Sequence, residues 1–319
     1  DALGAASVQI GPNALALAAH LNKRAGMSYE KIQDFFAVAF SLSLSRSTLV
    51  RALLRLSEKA RPTYEAMVIR IREARAVYSD ETGWKVGGFR RWLHVHVSLL
   101  SRVCVYRIGR GRGYAEAAAI LGEFFSGLLG TDGWAPYDRF LHALRQTCLG
   151  HLLRRCHDLE EVLTRGAVRF PRAVKALLQK ALALRDRRDE HRISRHGLAV
   201  AKGRLEAALS RLTEGRFTND LNRRLARHLA RLKDQMFTFL VLRGVEATNG
   251  PAEQALRFAV VNRKMSAGNR TDRGARAQET LMTIMQTCRL QQRDYLSLFV
   301  RLLRSPTPRN YRLVYHPSN

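Results

Sequence analysis

The chain has 319 residues, enough for two or three modules and at least one sizeable core, and a hydrophobic content of 46% excludes wholesale disorder. Lys and Arg number 54 against 27 Asp and Glu, a formal net charge of +27 with a pI near 11.1. A compact chain resists such self-repulsion unless a polyanion relieves it, so nucleic acid is the expected partner. An acidic membrane surface is the other candidate, but no apolar run approaches the roughly 18 residues needed to span a bilayer. The opening DALGAASVQIGPNALALAAH lacks a basic leader, so no signal peptide is expected. It also lacks an initiator Met, which fits a fragment or a chain preceded by a further segment. Cys104, Cys148, Cys156 and Cys288 do not make a disulfide framework at this length, and a reducing, cytoplasmic setting is expected.

Residues 11 to 75 read as helical. MSYEKIQDFFAVAF places Ile32, Phe35, Phe36 and Ala39 on one face at the 3.6-residue period. SLSLSRSTLVRALLRLSEKA follows, with Ser45 or Ser47 as N-cap and Leu49, Leu53 and Leu56 facing inward. Two short amphipathic helices joined by a Ser/Leu turn suggest a helix-turn-helix, although any small helical bundle shares the pattern. Arg46 and Arg51 are its natural phosphate or base contacts.

From residue 75 the period changes to two. ARAVYSD, RRWLHVHVSLL and RVCVYRIG alternate as half-buried strands do; ETG bounds the first, and SR near residue 101 turns the second into the third. YAEAAAILGEFFSGLL is expected to be an amphipathic helix, GTDGWAPYDRF a short strand and loop, and LRQTCLGH a strand running into a helix. The result is a mixed α/β layer. Residues 152 to 235 read as helical and very basic. Leu198, Leu205, Leu209 and Leu212, then Leu221, Leu225, Leu229 and Leu232, stand at helical spacing, and the dense charge of LRDRRDEHRISRH reads mostly as a solvated face. Further on, Thr248 or Asn249 can cap a helix whose first turn holds Pro251 and Glu253.

Three acids stand out against the cationic background. Asp80 is expected at the end of the first strand, Asp132 at the end of the short later strand, and Glu253 at the start of a helix. Strand ends in an α/β sheet bring residues remote in sequence together. Carboxylates sharing one place repel unless cations join them, and two hard divalent ions held by carboxylate oxygens are the machinery of nucleases and polymerases. Three rivals exist. Glu81 would point to the opposite face of its strand from Asp80. Asp138 lies past the Gly133–Trp134–Pro136 loop, where it suits a helix cap. Glu246 lies across a presumed turn.

The order of these elements resembles the RNase H-like catalytic core of DDE transposases. The wording is close to the insertion sequence 66 family of bacterial transposases, through GPNALALAAHLNKRAGMSYEKIQDFF, LSRSTL, SDETGWKV, GTDGWAPYDRF, CLGHLLRRCHDL and NGPAEQALRFAVVNRKMSAGNRTDRGARAQETLMTIMQTCRL. The resemblance implies that Asp80, Asp132 and Glu253 are the metal-binding triad, with Mg²⁺ as cofactor and Mn²⁺ as substitute. It implies nicking of DNA at transposon ends and transfer of the 3′ hydroxyl into target DNA, by a dimer or larger assembly acting in the bacterial cytoplasm at the nucleoid. The alternatives are a structure-specific nuclease on the same core, or a non-catalytic DNA-binding protein.

The implied organisation is a helical, helix-turn-helix-like module over 1–74, the first part of the core over 75–151, and a basic helical insertion over 152–240. The Glu-bearing part of the core follows over 241–304, and a tail over 305–319. Cys148 and His151 have the C-x-x-H spacing found after the second Asp in many such families, which suggests packing or phosphate positioning for His151. With Cys156 and His157 they are also four zinc-type ligands, although adjacent helical residues diverge by about 100°. Arg257 sits one turn beyond Glu253, and the family pattern keeps the pair Arg263 and Lys264. These cations either stabilise charge building up during phosphoryl transfer or contact the DNA backbone. SAGNRTDRGARA suits close approach to phosphates. Trp84 and Trp134 suit either base stacking or packing, the latter being commoner.

Overall fold

The protein is described here by a computed structural model covering residues 10–311 and 313. The expectations about the chain's first nine residues, and most of those about the 305–319 tail beyond Tyr311, lie outside the described residues. In chain order the elements are α1 (Pro12–Lys23), α2 (Tyr29–Phe40), α3 (Arg46–Arg72), β1 (Ala76–Val86), β2 (Phe89–Ser98), β3 (Val103–Gly109) and α4 (Tyr114–Leu121). There follow β4 (Leu128–Thr131), β5 (Leu144–Thr147), α5 (Leu149–Val162), α6 (Arg169–Asp189), α7 (Arg195–Thr213), α8 (Asp220–Leu232) and α9 (Thr238–Val241). The last are α10 (Gly250–Ser266), α11 (Asp272–Leu290) and α12 (Tyr295–Arg304). The class is α/β with mixed strand pairing and flanking helices. No helix among the described residues is long and apolar enough to cross a membrane. The chain divides into two compact units, one formed by Asp1–Phe125 with Pro251–Asn319 and the other by Ser126–Gly250.

In the first unit β1, β2 and β3 form an antiparallel meander. YSDETGWK is not where the first strand stops. β1 continues through it to Val86, so Asp80 is a mid-strand residue rather than a strand-terminal one. The turn is instead Gly87-Gly88, with φ of +59° and +82°. A two-residue hairpin turn with positive φ at both positions matches the strand twist, and glycine adopts it without a Cβ penalty. Cross-strand pairing overrides the turn preference of Asp, Thr and Gly, because Glu81, Thr82 and Gly83 oppose His94, Leu93 and Trp92 in an unbroken ladder.

The edge of this sheet is sealed by a helix. A bare edge strand presents every second amide to any chain that can pair with it. On β3 those amides are taken by one stripe of α11: Cys104 N–H donates to Thr287 Oγ1 (3.1 Å), Tyr106 N–H to Thr283 Oγ1 (3.0 Å) and Ile108 N–H to Glu279 Oε1 (2.7 Å). The three acceptors are four residues apart, the interval that returns to one helix face. Tyr64 of α3 adds a hydrogen bond from its hydroxyl to Tyr106 O (3.1 Å).

Ser45 caps α3, its Oγ accepting from Thr48 N–H (3.1 Å), and Leu49, Leu53 and Leu56 are buried as expected. The second helix of the presumed pair is not short: α3 runs 27 residues. In α2 the inward stripe narrows to Ile32 and Phe36, while Ala39 is exposed. The helix expected over 114–129 stops at Leu121, where Gly122 takes φ +83°. Leu128 and Leu129 belong to β4 instead.

In the second unit β4 and β5 pair in parallel, Thr131 opposite Thr147, and α5 to α8 follow. The leucine stripes differ in depth. Leu225, Leu229 and Leu232 of α8 are fully buried, whereas Leu221 is exposed and, on α7, only Leu209 is buried. Asp138 caps no helix. It sits in a 3₁₀ turn and pairs with Arg145 (2.6 Å) and with Arg231.

Candidate active site

Asp80 lies on the helix-covered face of β1. Side chains alternate along a strand, so Tyr78, Asp80, Thr82, Trp84 and Val86 share one side. Tyr78, Trp84 and Val86 are buried in one cluster with Ala252, Ala255, Leu256 and Ala259 of α10 and with Ala275 and Met282 of α11. Glu253 directly follows Ala252 in the first turn of α10 and is half-buried. The first unit therefore presents Asp80 and Glu253 from two elements packed against each other. Two further ties hold α10 on this face: Tyr106 Oη donates to Ala255 O (2.8 Å), and Arg263 donates to Thr82 Oγ1 (3.1 Å) and to Gly83 O. Asp80 Oδ1 accepts the N–H of Glu81 (2.8 Å), which limits how the carboxylate can turn.

Glu81 points the other way, as alternation requires. Its side chain is about 1% exposed and bonds Arg112 Nε at 2.7 Å, which makes it a structural ion pair. Trp84 is fully buried and donates from Nε1 to Asn269 Oδ1 (2.8 Å), so it packs rather than stacking on a base. The SAGNRTDRGARA loop is stitched to the β1–β2 hairpin: Asn269 N–H donates to Lys85 O and Gly87 N–H to Asn269 O, each at 2.9 Å. Gly268 there has φ +109°, and a Cβ would stand 2.4 Å from Lys85 O.

The second unit presents Asp132. It follows β4 directly, and its Oδ1 accepts Trp134 N–H (2.8 Å), an Asx turn that orients the carboxylate. The loop is braced by α8: Arg231 Nη2 donates to Gly133 O (2.6 Å), and a Cβ on Gly133, whose φ is +86°, would meet Leu232 Cδ1 at 3.0 Å. His228 of α8 feels the same loop. Burial first, then the Arg155 and Arg231 charges, lower its pKa to about 4, with Asp132 and Asp138 opposing. Neither Arg231 nor His228 was singled out from sequence; among many basic residues at helical spacing, nothing marks the two that face the loop.

Cys148 N–H donates to Thr131 O (2.8 Å), placing the start of α5 beside the end of β4. The Cys148 Sγ accepts Asn249 N–H (3.0 Å), and Leu149 N–H donates to Ala247 O (2.9 Å), so the segment leading into α10 is fastened to the same place. His151 is half-buried in the first turn of α5. Cys156 and His157 face opposite environments. Burial, then the Glu160 carboxylate, pushes the Cys156 thiol up to about 12, while exposed His157 pairs with Glu161 at 3.6 Å. Glu246 is exposed on the segment before α10.

The predicted cations scatter. Arg257 and Lys264 are exposed on α10, and Arg51 is exposed on α3. Arg46, also exposed, lines a cavity of about 670 Å³ with Lys23, Tyr29 and Arg270 among others. Trp134 is 39% exposed.

The fold and its acids thus define a strongly basic α/β protein whose carboxylates are presented from a strand, a strand-end loop and a helix start. A family model described as Transposase IS66 family matches residues 7–277, and the chain belongs to that family. Membership carries a transposase role, hence DNA processing and DNA binding. A comparison with curated proteins finds no match.

Proposed function

We propose that the chain is a DDE-type transposase in which Asp80, Asp132 and Glu253 converge on one site of an RNase H-like core. It would nick DNA at transposon ends and transfer the 3′ hydroxyl into a target phosphodiester. The observation that carries this reading is the shared face of Asp80 and Glu253. The strand acid and the helix acid project from one packed interface, in a chain whose remaining charge is overwhelmingly positive. In the second unit Asp132 offers the third carboxylate, oriented by its own Asx turn.

The donor set is chemically apt for Mg²⁺, or for Mn²⁺ as substitute: side-chain oxygens from three carboxylates, two of them with one oxygen already fixed by a backbone amide. Divalent ions bound there supply activation of the attacking oxygen and neutralisation of developing charge. The residues supply position. The β1 ladder holds Asp80, the Asx turn and α8 hold Asp132, and the ties of Tyr106 and Arg263 hold the helix bearing Glu253. Arg257 and Lys264, exposed on the same helix, would contact DNA phosphates, as would His151 and, in a helix-turn-helix formed by α2 and α3, Arg46 and Arg51. Two transposon ends have to be joined, so the working form is a dimer or larger assembly on DNA, in the cytoplasm at the nucleoid.

The test is nicking and joining of an element-end duplex with Mg²⁺ by the wild type and by Asp132→Asn. The expected result is loss of both reactions with DNA binding retained. Equal activity of the two proteins overturns the triad. Nicking without joining marks a structure-specific nuclease, and tight binding with no cleavage under any divalent ion marks a non-catalytic DNA-binding protein.

A further inference from the structure

Away from the acids, the first unit carries a second cationic feature. A cavity of about 350 Å³ opens at the end of the seam between β3 and α11, and five arginines line it: Arg61 of α3, Arg91 of β2, Arg107 of β3, Arg110 just beyond it, and Arg276 of α11. Three acids line it too, and each is engaged or outnumbered. Glu116 Oε1 accepts the amides of Arg110 (2.8 Å) and Gly111 (3.1 Å), and Glu279 Oε1 accepts that of Ile108 (2.7 Å). Asp272 is exposed at the start of α11.

Two guanidinium nitrogens in this lining have no acceptor among the described residues although they are shut off from solvent: Arg61 Nη1 and Arg107 Nε. Glu116 Oε2 stands 4.0 Å from Arg107 Nε, beyond hydrogen-bond reach. Arg61 is held in place by Glu65 at 3.0 Å and by stacking on Tyr64, its guanidinium carbon 4.4 Å from the ring centre. These buried nitrogens do not themselves reach a ligand, but the accessible guanidinium edges of Arg110 and Arg276 at the rim do, and guanidinium forks match phosphate oxygens in shape and charge.

We infer that this arginine cavity is a phosphodiester-binding site for the DNA backbone, separate from the acids. Val86, at its wall, lies on the same strand face as Asp80, six residues further along β1. At roughly 3.3 Å per residue that is about 20 Å, or about six base-pair steps along a duplex axis. A duplex lying along this face of β1 has the length to reach the cavity. The inference rests on the reading that the chain binds DNA, and not on its catalysing cleavage.

The experiment measures binding of an element-end duplex in EDTA, so that no cleavage intervenes, by fluorescence anisotropy over a range of KCl concentrations. The wild type is compared with the double variant Arg110→Ala/Arg276→Ala, both exposed rim positions, and with the control Arg70→Ala/Arg304→Ala, exposed arginines that do not line the cavity. Circular dichroism confirms folding of each. The expected result is an affinity about tenfold weaker for the rim variant, with the slope of log K against log salt reduced by about two, one for each arginine removed, and no comparable change in the control. A wild-type slope in the rim variant, or an equal loss in the control, overturns the site while leaving DNA binding intact. Absence of wild-type DNA binding overturns the functional reading itself. If inorganic phosphate raises the melting temperature of the wild type but not of the rim variant, while DNA binding is the same in both, the cavity takes free phosphate and the backbone assignment fails.

Discussion

The seam between β3 and α11 and the helices α7 and α8 handle polar groups in opposite ways. In the seam, polar side chains are buried and four of them are spent on partners: Glu279, Thr283 and Thr287 take the edge amides, and Gln278 accepts from Lys23 Nζ at 2.6 Å. On α7 and α8 most of the charges stay in water, and what goes inside is mainly apolar: Leu209 on α7, and Leu225, Ala226, Leu229 and Leu232 on α8. A helix that seals a sheet edge needs acceptors at four-residue intervals; a helix laid over a loop needs an apolar stripe and one or two reaching side chains. The two proposed acids divide along the same line, since Asp80 stands in the ladder of the seam's sheet and α8 reaches out to brace the loop behind Asp132.

The sharpest way to break that comparison is on β1 itself, where neighbouring acids have opposite fates. Asp80→Asn, Asp132→Asn or Glu253→Gln is expected to lower nicking by about 10³-fold or more with the melting temperature nearly unchanged. Glu81→Ala, in contrast, is expected to leave the rate per folded molecule intact and to destabilise by about 1–3 kcal/mol, because Arg112 is left without its carboxylate. Comparable rates for Asp80→Asn and the wild type would sink the strand-face argument.

Depth separates the leucines of the second unit. Leu229→Ala on α8 is expected to destabilise by about 2–4 kcal/mol and Leu205→Ala on α7 by less than about 1 kcal/mol, read from urea midpoints. In the seam, Thr283→Val keeps the volume and strands the Tyr106 amide, for an expected loss of about 1–2 kcal/mol and faster hydrogen exchange at Tyr106. Unchanged exchange there would show that α11 does not seal the edge through this bond.

The smallest effect is a pH dependence from His228. Its folded pKa of about 4 lies below the ordinary 6.5, so between these values the unfolded chain takes up the proton first. Stability is therefore full above about pH 6.5, falls as the pH drops, and this contribution levels off beneath about 4. His228→Gln should flatten part of that decline in urea midpoints measured from pH 7 to 4.5; identical slopes would remove His228 from the account.

Much was legible in the sequence because it is local. The helical start, the two-residue period after residue 75, the Ser45 cap and the first-turn placement of Pro251 and Glu253 each rest on interactions within a few residues. Alternation also assigned Asp80 and Glu81 to opposite faces before any contact was known, and charge alone named a polyanion as partner. Tertiary structure decided the rest. It carried β1 through a stretch of turn-forming residues, because pairing with β2 outweighs weak local preference, and it ended α4 early at Gly122 so that Leu128 and Leu129 could enter a strand. It chose Arg231 and His228 from a crowd of similar cations and sent Asp138 to an ion pair instead of a cap, since which charge meets which is set by elements about a hundred residues apart. Local energies favour a conformation residue by residue; only packing between distant segments fixes partners.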